Sequence, residues 1–336
     1  MFNLETTFSA ESTTDEVIKG HDLSDKIAVV TGASSGLGQE KSRALASIGA
    51  QVVMVARNKE KLDAAMASIK AEQPHVRLVP LIMDLNDQRS VREAAATLCN
   101  DFSRIDLLIN NAGVMACPLA KTAQGLESQF GCNHIGHFLL TCLLEPLLAK
   151  SKSARVICLS SAGHKMASVD LSDINYEKRP YDKWNAYGQS KSANALFALQ
   201  LNKRLKKHVE AFSVHPGMIV TELGRHLSEE DVAMITSLGN KAKNSSPSAA
   251  STSADEGTPE NKSAFKTIAQ GAATSVWAAT SETLRAKGGK YLENCQIAGA
   301  NSQSMGWGYA GHIIDEDLAA KLWTLSEEIV GETFTF

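Results

Sequence analysis

The stretch IAVVTGASSGLG, residues 27–38, decides the fold of this chain. An apolar run of strand character (27–31) passes directly into a glycine-rich turn, and helical spacing takes over across 36–48. Gly32, Gly36 and Gly38 let the backbone bend sharply and approach a pyrophosphate. The helix that follows offers free N–H groups and the positive end of its dipole. The spacing is G-x-x-x-G-x-G, not the G-x-G-x-x-G of the general dinucleotide fingerprint.

Working outward, strand-like runs recur at 51–56, 78–83, 105–109, 155–160 and 211–215, with a short one at 290–292 after Gly288 and Gly289. Helical spacing fills the intervals at 59–69, 87–99, 132–150 and 184–207, and resumes at 265–280 and 315–329. Strand–helix alternation of this kind predicts an α/β fold: a single Rossmann-type, doubly wound parallel sheet with helices on both faces. Residues 1–24 read as an N-terminal extension and 25–336 as the single domain. From 240 to 264 there is no Val, Ile, Leu, Met or aromatic residue, so this stretch is expected to be a mobile surface insertion.

Composition narrows the function. Over 336 residues the hydrophobic share is 43%, the charged share 21% and the net charge −3, so neither nucleic acid nor an anionic membrane is implied as partner. The longest apolar run, FLLTCLLEPLL (138–148), is broken by Glu145 and Pro146 and is too short to span a bilayer. The first twenty residues lack the basic and apolar regions of a signal peptide, so no membrane anchor and a cytoplasmic location are expected. Six cysteines without a CxxC pair read as reduced thiols. His134 and His137 form HxxH with no cysteine or acidic partner at ligand spacing, so no metal site is expected.

Two further features carry chemistry. The second strand ends in Ala56-Arg57, where a site for NAD would place a carboxylate on the ribose hydroxyls. A guanidinium there suits a 2′-phosphate, and the cofactor is expected to be NADP(H). Tyr187 and Lys191 lie four apart on a helical stretch, so phenol and ammonium share one face. A nearby cation favours the phenolate, and one at about 4 Å is expected to lower the phenol by roughly three units, toward neutral pH. They follow a strand ending in Ser160-Ser161, at the carboxyl edge where open α/β sheets bind ligands.

Taken in order, these segments resemble the short-chain dehydrogenase/reductase superfamily. TGASSGLG (31–38) is similar to its cofactor loop, with Gly32, Ser34, Ser35, Gly36, Leu37 and Gly38 as the implied contacts. Asp84, followed by Leu85, resembles the acidic residue beside adenine. Asn110-Asn111-Ala112-Gly113 resembles the NNAG segment, and Pro216-Gly217, with Ile219 and Thr221, the segment flanking the nicotinamide. Asn133, Ser161, Tyr187 and Lys191 match the active tetrad. The resemblance implies that Tyr187 exchanges the proton, Lys191 lowers its pKa and binds the ribose, Ser161 donates to the substrate oxygen and Asn133 holds a relaying water. The gap of 26 residues from Ser161 to Tyr187, with NHIGHFLL and YGQSKSANALF, is most similar to the retinol-dehydrogenase and WW-domain-oxidoreductase-like branch.

The resemblance also places a substrate lid at about 218–265. Met218, Ile219, Leu223, Leu227 and Met234, with Met166 and Trp184, would give it an apolar wall suited to a lipophilic ketone, aldehyde or secondary alcohol. Two other classes stay open: a catalytically weak NADP-binding regulatory partner, and a nucleotide-sugar epimerase or dehydratase, which the glycine spacing disfavours. The long apolar helix at 132–150 is a candidate for pairing in a homodimer or homotetramer.

Overall fold

A computed structural model describes residues 8–205, 208–244, 265–301 and 306–336. Eight strands form one sheet: β1 Ile27–Thr31, β2 Gln51–Ala56, β3 Arg77–Ile82, β4 Leu107–Asn110, β5 Ala154–Leu159, β6 Val209–His215, β7 Tyr291–Glu293 and β8 Gln296–Ile297. Their order is β3-β2-β1-β4-β5-β6-β7-β8. All neighbours are parallel except the β7–β8 pair. The predominantly apolar character of β1, β2, β4 and β5 follows from burial on both faces.

The helices, in chain order, are α1 Thr14–Ile18, α2 Gly36–Ser47, α3 Lys59–Glu72, α4 Gln88–Asp101, α5 Ser128–Phe130, α6 Gly136–Leu143, α7 Glu145–Leu148, α8 Lys183–Arg204, α9 Glu229–Asn244, α10 Ile268–Thr280 and α11 Glu316–Val330. One core packs α1, α2, α3 and α10 against one face of the sheet, and the other packs α4, α6, α8 and α11 against the opposite face. The strand order reverses between β1 and β4, which opens a crevice above their carboxyl ends.

Two expectations are revised. The helix expected over 132–150 starts earlier and is broken. The Glu127 carboxylate caps α5 by accepting from the N–H groups of Gln129 (2.8 Å) and Phe130 (2.7 Å). A π-helical turn, Gly131–Ile135, joins α5 to α6, and Pro146 sits in the first turn of α7. The outward face of this helical run and of α8 is covered by the chain itself: Trp323 of α11 stacks on Phe197 and meets Phe138 edge-on, with Phe334 beside it. These rings are thus buried within the chain. Finally, α9 continues through Asn244, because a helix begun in an apolar, acid-capped first half propagates readily through Lys and Ala. The rest of the expected insertion, 245–264, lies outside the described residues.

Residues 8–24 are part of the fold. Thr13 and Glu16 form a capping box, α1 packs on α10 and α2, and Asp15 pairs with Arg43 of α2 at 2.6 Å.

Candidate active site

A cleft of about 340 Å³ lies over the β1–β4 reversal. Gly32, Ser34, Ser35, Gly36, Leu37 and Gly38 line it from the β1–α2 turn, Arg57 from the end of β2 and Asp84 and Leu85 from the end of β3. Asn111, Ala112 and Gly113 line it after β4, and Thr221 after β6. Gly32 and Gly36 have φ of 66° and 52°. A Cβ on Gly38 would stand 2.1 Å from the Gly32 carbonyl oxygen, so only glycine lets helix and turn close this tightly. Ser35 caps α2 without a side-chain hydrogen bond, and the first turn carries no acid, so its N–H groups face the cleft uncompensated. These residues fit a dinucleotide's pyrophosphate.

Thr31 ties the floor together. Its hydroxyl accepts from the N–H groups of Asn111 (2.9 Å) and Ala112 (3.0 Å) and meets His137 Nε2 at 2.9 Å. His137 Nδ1 in turn bonds the Asn133 carbonyl at 2.9 Å, and His134 bonds the Ser326 hydroxyl at 2.9 Å. Burial holds the two imidazoles at about 4 and about 3, so both are neutral hydrogen-bonding groups near pH 7. Asp84 accepts from the backbone and side-chain N–H groups of Asn86 at 2.9 and 3.1 Å. Arg57 is exposed at the cleft mouth, near Lys61, whose ammonium meets Glu222 at 3.0 Å across the opening.

The expected tetrad converges beside this cleft. Tyr187 and Lys191 face the same way on α8, with the ammonium 5.5 Å from the phenol ring centroid and donating to the Leu159 carbonyl at 3.1 Å. The Ser161 hydroxyl lies beside the Tyr187 side chain, both flanking Gly163, and accepts from Gly163 N at 3.1 Å. Gly163 is required by proximity, since a Cβ there would lie 2.8 Å from the phenol ring. Ser160 points elsewhere, its hydroxyl donating to the Lys191 carbonyl at 2.8 Å. Asn133 sits inside the π turn, so it is not a helix cap. It accepts from Val114 N at 2.8 Å and donates to the Val114 carbonyl and the Ser190 hydroxyl, each at 2.9 Å. It thereby locks the loop after β4 to the helix that carries Tyr187.

Electrostatics correct one expectation. Burial pushes the Tyr187 phenol up to about 12, opposed by the neighbouring Ser161 hydroxyl. Burial also brings Lys191 down to about 8. Lys191 alone does not make the phenol acidic, because the same burial that brings the two groups together penalises both charges.

Pro216 and Gly217 follow β6, and Gly217 has a φ of 94°. Ile219 forms a parallel bridge with Lys266 and packs, with Leu37, against Gly271 of α10. The expected apolar wall is mixed in character. Trp184 lies edge-on to Tyr187 (6.5 Å, 83°), yet its indole N–H donates to Asp231 Oδ1 at 3.1 Å. Asp231 also accepts from Lys183 at 2.5 Å and from the Ser228 N–H at 2.8 Å. The sequence reading passed over this clasp between α9 and α8, and also over Thr31, His137, Ser190 and Lys41. The signal for Lys41 was present: it falls three residues after Gly38 and four before Leu45, on the apolar face of α2.

Comparison with known proteins gives matches along most of the chain. A family model described as short chain dehydrogenase matches residues 26–232. The Short-chain dehydrogenase/reductase prx1 of Penicillium roqueforti is 38% identical, over 94% of this chain and 89% of its own. Retinol dehydrogenase 12 of Mus musculus is 36% identical, over 91% and 86%. A crystal structure of an uncharacterised protein from Mycobacterium paratuberculosis superposes with a TM-score of 0.69 at 31% identity, covering 95% of this chain and 98% of that one.

Proposed function

The chain belongs to the short-chain dehydrogenase/reductase family, and on that premise we propose that it is an NADP(H)-dependent oxidoreductase interconverting a lipophilic alcohol and its carbonyl. The observation that carries this reading is the Tyr187 phenol, flanked by the Ser161 hydroxyl and faced by Lys191 at the carboxyl edge of β5. A bound nicotinamide supplies or accepts the hydride, and the chain's own residues handle the proton and the oxygen. Tyr187 gives its proton to the carbonyl oxygen in reduction and takes it from the alcohol in oxidation. Ser161 donates to that oxygen, stabilising the charge it develops. Lys191 binds the ribose, and Asn133 positions α8 against the loop after β4. The charge of an oxidised nicotinamide beside the phenol offsets the burial that raises it.

Arg57 would hold the 2′-phosphate in a forked contact, with no carboxylate at the end of β2 to repel it. Leu223, Leu227 and Met234 on the lid support a lipophilic substrate, and the retinol dehydrogenase relatives make a retinoid one member of that class. Among the described residues no helix is long and apolar enough to cross a membrane. The test is a panel of lipophilic carbonyls and alcohols assayed with NADPH/NADP⁺ and NADH/NAD⁺ in parallel. We expect turnover with strong NADP(H) preference, and a loss of at least about 10³-fold in Tyr187→Phe with dinucleotide binding retained. Turnover that survives in Tyr187→Phe would overturn the assignment.

A further inference from the structure

Lys41 is the bulkiest fully buried side chain among the described residues after Trp323, and it is a lysine. It lies on α2, and its ammonium donates to Asn111 Oδ1 at 2.7 Å. No carboxylate pairs with it among the described residues. The charged neighbours on its own helix, Glu40 and Arg43, face the other way and pair with each other at 2.7 Å. From α8 it feels Lys191, which repels it, and on α6 the neutral His137 is bonded to Thr31. A buried ion without a counter-charge is strongly disfavoured, so such a group neutralises or finds an anion. Between this ammonium and the cleft stands Asn111, which lines the cradle formed by the α2 N-terminus.

We propose that Lys41 is a positioning residue of the dinucleotide site: binding of the pyrophosphate draws a proton from solvent onto the Lys41 amine, and the resulting ammonium holds Asn111 and attracts the phosphates from below. This rests on the reading of the cleft as a dinucleotide site. Burial, and then Lys191, bring Lys41 down to about 7, so amine and ammonium coexist near neutrality. Phosphate charge raises that value in the complex. The gain in affinity is therefore complete below about pH 7 and lost as pH rises through the raised value. Lys191 sits at about 8 and takes up part of a proton too, so the measure is the difference between parent and Lys41 variants.

The experiment is titration calorimetry of the whole chain with NADPH at pH 8, in phosphate and in Tris, whose ionisation enthalpies differ. Lys41→Met and Lys41→Gln are compared with the parent, and thermal melts confirm that each folds. The parent should take up on the order of half a proton more per NADPH than either variant. Its Kd should weaken roughly tenfold more than theirs between pH 7 and pH 8.5. Equal uptake in parent and variants, or no uptake by the parent, overturns the proposal while leaving the dinucleotide site standing. Failure of the folded parent to bind either NADPH or NADH overturns both.

Discussion

Two adjacent serines at the end of β5 face opposite ways, and that separates chemistry from scaffolding. Ser161 touches the phenol, whereas Ser160 is spent on the carbonyl of Lys191. Ser161→Ala should lower kcat by about 10²-fold or more with NADPH affinity unchanged, as expected for loss of a donor to a developing oxyanion. Ser160→Ala should instead cost stability, roughly 1 kcal/mol, and leave kcat within a few-fold. Paired melts and steady-state kinetics distinguish the two. The phenol's elevation to about 12 sets the pH behaviour. Its deprotonated form, which alcohol oxidation needs, is scarce until a bound oxidised nicotinamide offsets the burial, so kcat/KM for oxidation should rise with pH up to the phenol's value in that complex, while reduction should not. A flat oxidation profile would mean that Tyr187 is not the base. Arg57→Asp should raise KM for NADPH roughly tenfold or more and leave KM for NADH little changed, because it replaces a forked phosphate contact with a repulsion.

Among the elements, the π turn at Gly131–Ile135 and the clasp at Asp231 set the site's geometry. Gly136 packs so closely on Leu85 that a Cβ would stand 2.8 Å from the Leu85 carbonyl oxygen. Gly136→Ala should therefore push Leu85 into the cleft and shift Asn133, raising KM for the dinucleotide and destabilising the fold by roughly 1–3 kcal/mol. Asp231→Ala should raise KM for the carbonyl substrate several-fold without changing dinucleotide affinity, since it frees α9 from Lys183 and Trp184. Seven of the eight strands were legible to within a residue or two because their apolar runs end in turn residues; β8, two exposed residues, was not. The tetrad was legible because its members sit at fixed offsets from strand ends. The π turn was not, because its helical spacing of apolar residues is the same as that of a regular helix. The phenol's raised pKa was missed for a different reason: proximity of Lys191 is visible in the spacing, but the depth of burial is set by Gly163, the loop after β4 and the packing of α8 together.

At the scale of the molecule, the placement of α11 decides what the far side of α8 can do. Leu322 and Trp323 complete the core that contains Phe138 and Phe197, and Arg204 lies over the Trp323 ring at 4.5 Å. Light scattering should accordingly show no dimer formed through α6 and α8. Removing residues 316–336 should bare this aromatic surface and produce association that grows with concentration. The same arrangement bears on how the protein is made. Strands β1 to β4 can pair while translation is still under way, and their helices can cover one side of the sheet. On the opposite side α4, α6 and α8 cover the sheet, but the aromatic surface of α6 and α8 stays bare until α11 is made, so a nascent chain stalled before residue 316 is the form most in need of a chaperone.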